Sequence, residues 1–197
     1  MLSAISASSP LILASSSKYR AELLARLRVP FEGMATDVDE SALPGESAEA
    51  LSRRLAAAKA QALAGKFPGR WVLGSDQAAE CEGRIFGKPG GHERALQQLL
   101  LASGKSLCFH TAVALAGNGR LETAADVTTV RFRTLGREAL ERYLAQEPAY
   151  DCAGSFKCEG LGITLFESIE AQDPTALIGL PLIAVSRLLT LAGYSLP

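Results

Sequence analysis

The chain opens on a continuous apolar run, Leu11-Ile12-Leu13-Ala14, which predicts a short buried strand. Ser15-Ser16-Ser17-Lys18 breaks it, and Leu23, Leu24 and Leu27 then recur at helical spacing over 21–27. An extended piece over 29–32 and an acidic loop, Asp37-Val38-Asp39-Glu40, follow. Ser47 reads as an N-cap with Glu49 in the first turn. The helix it opens runs to about Ala64, with Leu51, Leu55, Ala58 and Ala62 as its apolar stripe. Trp71-Val72-Leu73-Gly74-Ser75 is a second buried strand, with Asp76 at its carboxyl end. A short strand over 82–86, the Gly87-Lys88-Pro89 turn and a helix over 92–101 come next. Two long strands, 107–116 and 123–134, flank Asn118-Gly119, a hairpin turn signal. Leu140, Tyr143 and Leu144 mark one face of a further helix, 160–166 reads as a strand, and 180–191 reads as an apolar helix. Strands alternating with helices, plus one long hairpin, predict an α/β fold with a mixed, twisted sheet and flanking helices.

Composition narrows the function classes. At 197 residues and 48% hydrophobic, the chain suffices for one domain over 1–197, or two small lobes sharing a core. A net charge of −1 argues against a protein that coats nucleic acid, yet leaves room for a small phosphorylated substrate. The longest apolar runs are about ten residues, too short to cross a bilayer. Met1 to Pro10 has neither a basic start nor a long apolar stretch, so no signal peptide is read and a cytoplasmic location is expected. The four cysteines form no C-x-x-C pair and only His92 and His110 accompany them, which disfavours a structural zinc site.

Several residues are candidates for chemistry. Asp76 follows an apolar strand, where α/β proteins place ligands, although a turn Asp capping the next segment fits as well. Lys59 flanks the apolar stripe of its helix rather than the wet face, and reads either as a snorkelling lysine or as a cation aimed into a cleft. Lys88, between Gly87 and Pro89, reads either as a lysine held at a fixed point by a stiffened loop or as part of a plain turn. Ser15 to Arg20 join a strand to a helix whose free N–H groups favour an anion, with Arg20 as an added donor, but no Walker loop is present. The stretch from Cys152 to Gly160 sets Lys157 and Glu159 among small residues beside a predicted strand. His110 reads as packed and His92 as exposed.

Taken together, these motifs resemble the Maf family. The matching pieces are Leu11-Ile12-Leu13-Ala14-Ser15-Ser16-Ser17 with Arg20, Val38-Asp39-Glu40, Ala58-Lys59-Ala60, Gly74-Ser75-Asp76-Gln77 and Gly87-Lys88-Pro89. Phe132-Arg133, Ala153-Gly154-Ser155-Phe156-Lys157 and Gly179-Leu180-Pro181-Leu182 complete the ordered set over almost the whole chain. The resemblance implies two lobes around a central cleft and hydrolysis of a nucleoside triphosphate to monophosphate and diphosphate with a divalent cation, Mg²⁺ or Mn²⁺. It also implies a homodimer, removal of modified nucleotides, and a link to arrest of cell division. Asp76-Gln77 and Phe156-Lys157-Cys158-Glu159-Gly160 look like the branch that acts on 7-methyl-GTP. Lys18, Tyr19 and Ala21 depart from the family's frequent Pro, Trp and Arg.

The roles that follow from the resemblance are these. Asp76 and Glu40 hold the metal, and Asp76 also orients and helps deprotonate water. Lys59 and Lys88 act with them on the phosphates, and Ser15, Arg20 and Lys157 bind there too. Tyr19, Gln77 and Glu159 select the base, since an aromatic face attracts cationic 7-methylguanine and a carboxylate accepts from its N–H donors. No nucleic-acid polymer or membrane partner is expected. Rival expectations are a pyrophosphatase for other nucleoside triphosphates, a non-catalytic nucleotide sensor acting on division, and a structural domain without a site.

Overall fold

The first apolar run forms β1, Leu11–Ala14, with all its residues buried. It lies between two parallel neighbours, β2 (Phe31–Gly33) and β3 (Val72–Cys81). From β3 outward the sheet becomes antiparallel, through β5 (Ser106–Gly117), β6 (Arg120–Phe132) and β7 (Phe166–Glu170). A short strand, β4 (Arg84–Phe86), folds back on β3, so the order is β2-β1-β3-β5-β6-β7 with β4 beside β3. The computed structural model describes residues 4–197. Residues 1–3, the start of the segment read as free of a signal peptide, lie outside the described residues.

The mixed sheet follows from the chain's connections. Helices α1 (Lys18–Ala25) and α2 (Ala48–Lys66) lie on the crossovers between the parallel strands. Tight turns then produce the antiparallel half, most clearly at Asn118 and Gly119, both at positive φ as a two-residue hairpin requires. Three more helices complete the chain: α3 (His92–Ala102), α4 (Arg137–Gln146) and α5 (Leu182–Leu191).

One sheet face carries two large apolar clusters. The first joins Leu11, Leu13, Leu73, Val113 and Leu115 to α1 and α5. The second joins Ala79, Leu107, Phe109, Val130 and Phe132 to α3 and α4. The long strands β3 and β5 thus supply both clusters, which gives two lobes on one continuous sheet.

The opposite face is covered by α2, packed through small side chains: Ala56 and Ala60 meet Ala112, Ala114 and Ala116. Contact is closest at Gly74, where an added Cβ would come to 2.2 Å from Ala56 O and 2.7 Å from Ala60 N. Only glycine fits there, and its absence of a side chain lets α2 lie directly on β3.

Several elements differ from their sequence expectations. Helix α1 starts at Lys18 rather than Ala21, because Ser17 caps it by accepting from Arg20 N. Asp76 is not at a strand end, since β3 continues to Cys81 under pairing with β5. Leu161–Leu165 is a 3-10 turn, and the strand comes after it. An added Cβ at Gly160 would strike Glu147 Oε1 at 2.1 Å and one at Gly162 would strike Lys157 O at 2.4 Å, so this apolar run is folded tightly against its neighbours instead of extending. The apolar stripe of α2 is rotated from the predicted one. Leu55, Ala56, Lys59, Ala60 and Leu63 are buried, whereas Ala58 and Ala62 are half-buried.

Candidate active site

The strand pattern itself creates an opening. On one edge of β3, pairing with β1 ends at Gly74 and pairing with β4 begins at Ala79. Between them Ser75, Gln77, Asp76 and Ala78 have no strand beside them on that edge, while β5 pairs along the other. A cleft of about 680 Å³ opens at this gap. Asp76 points to the α2 side and Gln77 to the other, yet both line the cleft because the gap exposes them edge-on.

The close seating of α2 on Gly74 brings Lys59 to Asp76. The Lys59 ammonium lies 2.6 Å from Asp76 Oδ1 and 2.5 Å from Glu40 Oε1. Lys59 and Asp76 are buried, and Glu40 is half-exposed on the loop before α2. Burial pushes the Glu40 carboxyl up, but the hydrogen bond and charge of Lys59, then Lys88 and Arg20, outweigh it and hold the group below its usual value.

The turn between β1 and α1 forms the adjoining wall. Ser15 Oγ accepts from Ser17 N at 3.2 Å and from Arg20 Nη1 at 3.4 Å. Arg20 Nε donates to Gly179 O at 3.0 Å, which clamps this wall to the 173–181 loop. Burial lowers the Arg20 pKa, and Asp76 and Glu40 oppose that shift. An α-helix N-terminus, a serine-rich turn and a half-buried guanidinium together suit an anion. Lys88 reaches the cleft from its turn with no salt-bridge partner among the described residues.

The other end of the cleft is less polar. Phe86, Phe109, Phe156, Cys152 and Cys158 line it, with Tyr19 and Glu159 at its side. Tyr19 donates to Asp151 Oδ2 at 3.4 Å, and Lys18 Nζ sits 5.0 Å from the Tyr19 ring centroid. Burial, followed by Cys152 and Asp151, pushes the Tyr19 pKa up. Burial also leads in pushing both cleft thiols up to about 12, so they stay protonated at neutral pH and serve as small lining groups rather than nucleophiles.

Nine of the sequence-predicted residues therefore share one cleft: Ser15, Tyr19, Arg20, Glu40, Lys59, Asp76, Gln77, Lys88 and Glu159. Lys157 does not line it. Its ammonium turns to Pro148 O at 3.5 Å, while its backbone N–H donates to the Tyr143 hydroxyl. Phe109, Thr111, Asp151 and the Leu177 and Ile178 backbone carry no mark in the sequence, and Gly179 enters only as part of a matching motif. The aromatics looked like ordinary core, and a wall built from backbone carbonyls has no side-chain signature.

Glu40 and Asp76 each turn one oxygen to Lys59 and keep the other free of protein hydrogen bonds among the described residues. No group of three or more His, Cys, Asp or Glu suited to a metal occurs among the described residues. Two carboxylates fit a hard cation that completes its shell with water and phosphate oxygens, and they do not fit a closed all-protein site. No helix among the described residues is long and apolar enough to cross a membrane.

Comparison with known proteins agrees with this geometry. The family model described as Maf-like protein matches residues 10–192. The 7-methyl-GTP pyrophosphatase of Xanthomonas axonopodis pv. citri is 56% identical over 187 residues, covering 95% of this chain and 98% of that protein. The 7-methyl-GTP pyrophosphatase of Pseudomonas aeruginosa is 53% identical over 189 residues, with the same coverage of 95% and 98%. That of Bordetella pertussis is 54% identical over 179 residues, covering 91% and 90%.

Proposed function

The chain belongs to the Maf family, and from that premise we propose that its cleft hydrolyses 7-methyl-GTP to 7-methyl-GMP and diphosphate. One observation supports this most: a single buried ammonium, Lys59, holds both Glu40 and Asp76 at the gap in the sheet, with Arg20 and Lys88 in the same cleft.

The phosphates lie along the Ser15–Arg20 turn, where helix N–H groups and Arg20 meet their charge. Lys59 and Lys88 neutralise the same oxygens and stabilise the leaving diphosphate. Asp76 orients the attacking water and accepts its proton, at a fixed place set by Lys59. Asp76 and Glu40 are the residues that would hold a Mg²⁺ or Mn²⁺ ion, which when bound supplies charge neutralisation and a more acidic water. That supply matters, because a carboxylate by itself is a weak base toward bulk water at neutral pH. At the apolar end, the Tyr19 ring faces the cationic base, and Glu159 accepts from its N–H donors. A cytoplasmic address and a homodimer belong to the same proposal.

The test is a comparison of 7-methyl-GTP, GTP, UTP and dTTP with Mg²⁺ and Mn²⁺, following diphosphate release. The highest kcat/KM is expected for 7-methyl-GTP. Faster turnover of UTP or dTTP would move the function to pyrimidine nucleotides. Binding without diphosphate release from any of them would leave a nucleotide sensor.

A further inference from the structure

Gln77 is more constrained than its exposure at the cleft suggests. Its Nε2 lies 2.9 Å from Thr111 Oγ1, 3.0 Å from Ala176 O and 3.1 Å from Leu177 O. Thr111 is fully buried, and its hydroxyl in turn donates to Ala176 O at 3.0 Å. We propose that Thr111 is a positioning residue for Gln77: together with the Ala176 and Leu177 carbonyls it commits the amide nitrogen to the protein and leaves Oε1 alone to meet the substrate.

The direction of this network is forced. Backbone carbonyls only accept, so the amide half facing Ala176 and Leu177 must be the donating NH₂. Turning the amide over would set Oε1 against two carbonyl oxygens, a repulsive arrangement. Thr111 spends its one proton on Ala176 O and so accepts from Gln77, which closes the chain in a single direction. Both Nε2 protons are consumed, while Oε1 has no protein partner among the described residues. A side chain that is ordinarily both donor and acceptor is thereby reduced to an acceptor.

The consequence is selection by polarity. Glu159 offers only acceptors when ionised, and Gln77 is now an acceptor as well, so the cleft rewards a base edge made of N–H donors. Guanine presents N1–H and N2–H₂, and methylation at N7 draws electron density from the ring and strengthens both as donors. This deepens the 7-methyl-GTP reading and rests on it for the identity of the base, but the coupling of Thr111 to Gln77 stands apart from it.

The experiment is a double-mutant cycle read by nucleotide affinity as well as by KM and kcat. Thr111→Val keeps the shape and removes the acceptor. It is expected to weaken 7-methyl-GTP binding and raise KM by about tenfold, with kcat changed less than about threefold. Thr111→Ser should restore both. In a Gln77→Ala background Thr111→Val should add less than about twofold, because the residue it acts through is gone. An equal loss in both backgrounds, or an unchanged affinity in a folded Thr111→Val protein, overturns the proposal. If Thr111→Val fails to fold, Gln77→Glu decides the matter. It retains an acceptor toward the substrate but sets a carboxylate against the Ala176 and Leu177 carbonyls with no proton to offer either, so affinity must fall, and undiminished affinity overturns the proposal. A wild-type protein that binds the nucleotide without cleaving it would refute the proposed function and leave this cycle measurable, whereas no binding of 7-methyl-GTP or GTP refutes both.

Discussion

Lys59 stands between two acids, 2.6 Å from Asp76 and 2.5 Å from Glu40, on a helix pressed against a side-chain-free point of the sheet. The contact is a product of packing: Gly74 allows the approach, and the helical turn from Ala56 to Ala60 delivers Lys59 to Asp76. Replacing Lys59 by Met keeps the length and removes the charge. Turnover should fall by about 10²–10³, as expected when a preorganised charge is withdrawn from the transition state. Urea unfolding should also show a loss of about 3 kcal/mol, because Asp76 is left buried without its partner. Turnover within about tenfold of wild type would remove Lys59 from the machinery.

The close approach at Gly74 gives a second outcome. In Gly74→Ala the new methyl group meets Ala56 O, and backbone cannot move aside cheaply. The variant should lose about 1–3 kcal/mol of stability, the cost of overpacking. It should also lose activity out of proportion, because α2 carries Lys59 away from Asp76. Retained kcat in a destabilised protein would show that the helix position does not matter to the chemistry.

Acid stability depends on the loop that carries Glu40. Arg54 holds Glu46 through Nε at 2.6 Å and Nη2 at 2.8 Å, and Leu43 N donates to the same carboxylate. The Arg54 hydrogen bond, then that of Leu43, lowers the Glu46 pKa from 4.5 to about 2. A carboxyl with a depressed folded pKa contributes stability that is fully present above its unfolded value and is lost as pH falls through the folded one. The Glu46 contribution should therefore fade between 4.5 and about 2. Glu46→Gln should flatten the pH dependence of unfolding in that window and leave its slope near neutrality unchanged. An unaltered acid limb would contradict the assignment.

Tyr143 braces the segment that carries Glu159. Lys157 N–H donates to the Tyr143 hydroxyl, which donates to Glu147 Oε2, and Gly162 N–H donates to the same oxygen. Tyr143→Phe should cost about 1–2 kcal/mol of stability, since it leaves the half-buried Lys157 amide unpaired. The KM for 7-methyl-GTP should rise more than kcat falls, as Glu159 loses its fixed place. An unchanged KM would show that this brace serves folding alone.

Much of this architecture was legible from the residues. The run at 11–14, the Ser47 cap and the Asn118-Gly119 turn specify their elements locally, and each forms where expected. Its place beside an apolar stripe leaves Lys59 two readings, a snorkelling lysine or a cation aimed into a cleft, and its burial at the cleft matches the second. The strand over 160–166 failed because its apolar run carries no local mark of the Glu147 and Lys157 contacts that fold it tightly. Asp76 reads as a strand terminus because the apolar run ends in Gly74-Ser75-Asp76-Gln77. Register along β5 instead carries β3 on to Cys81, and the opening comes from the end of a neighbouring strand. Thr111 carries no local mark for a related reason, since its partners, the Ala176 carbonyl and the Gln77 side chain, lie 65 and 34 positions away in the chain.

The most direct measurement is diphosphate release from 7-methyl-GTP by Asp76→Asn at saturating substrate and Mn²⁺, with thermal unfolding recorded on the same protein. Asparagine fills the same space and can still meet substrate, but cannot take a proton from water. A kcat reduced by about 10³ or more in a folded protein is the expected result. A kcat within about tenfold of wild type would contradict the role of Asp76 and, with it, the proposed chemistry of the cleft.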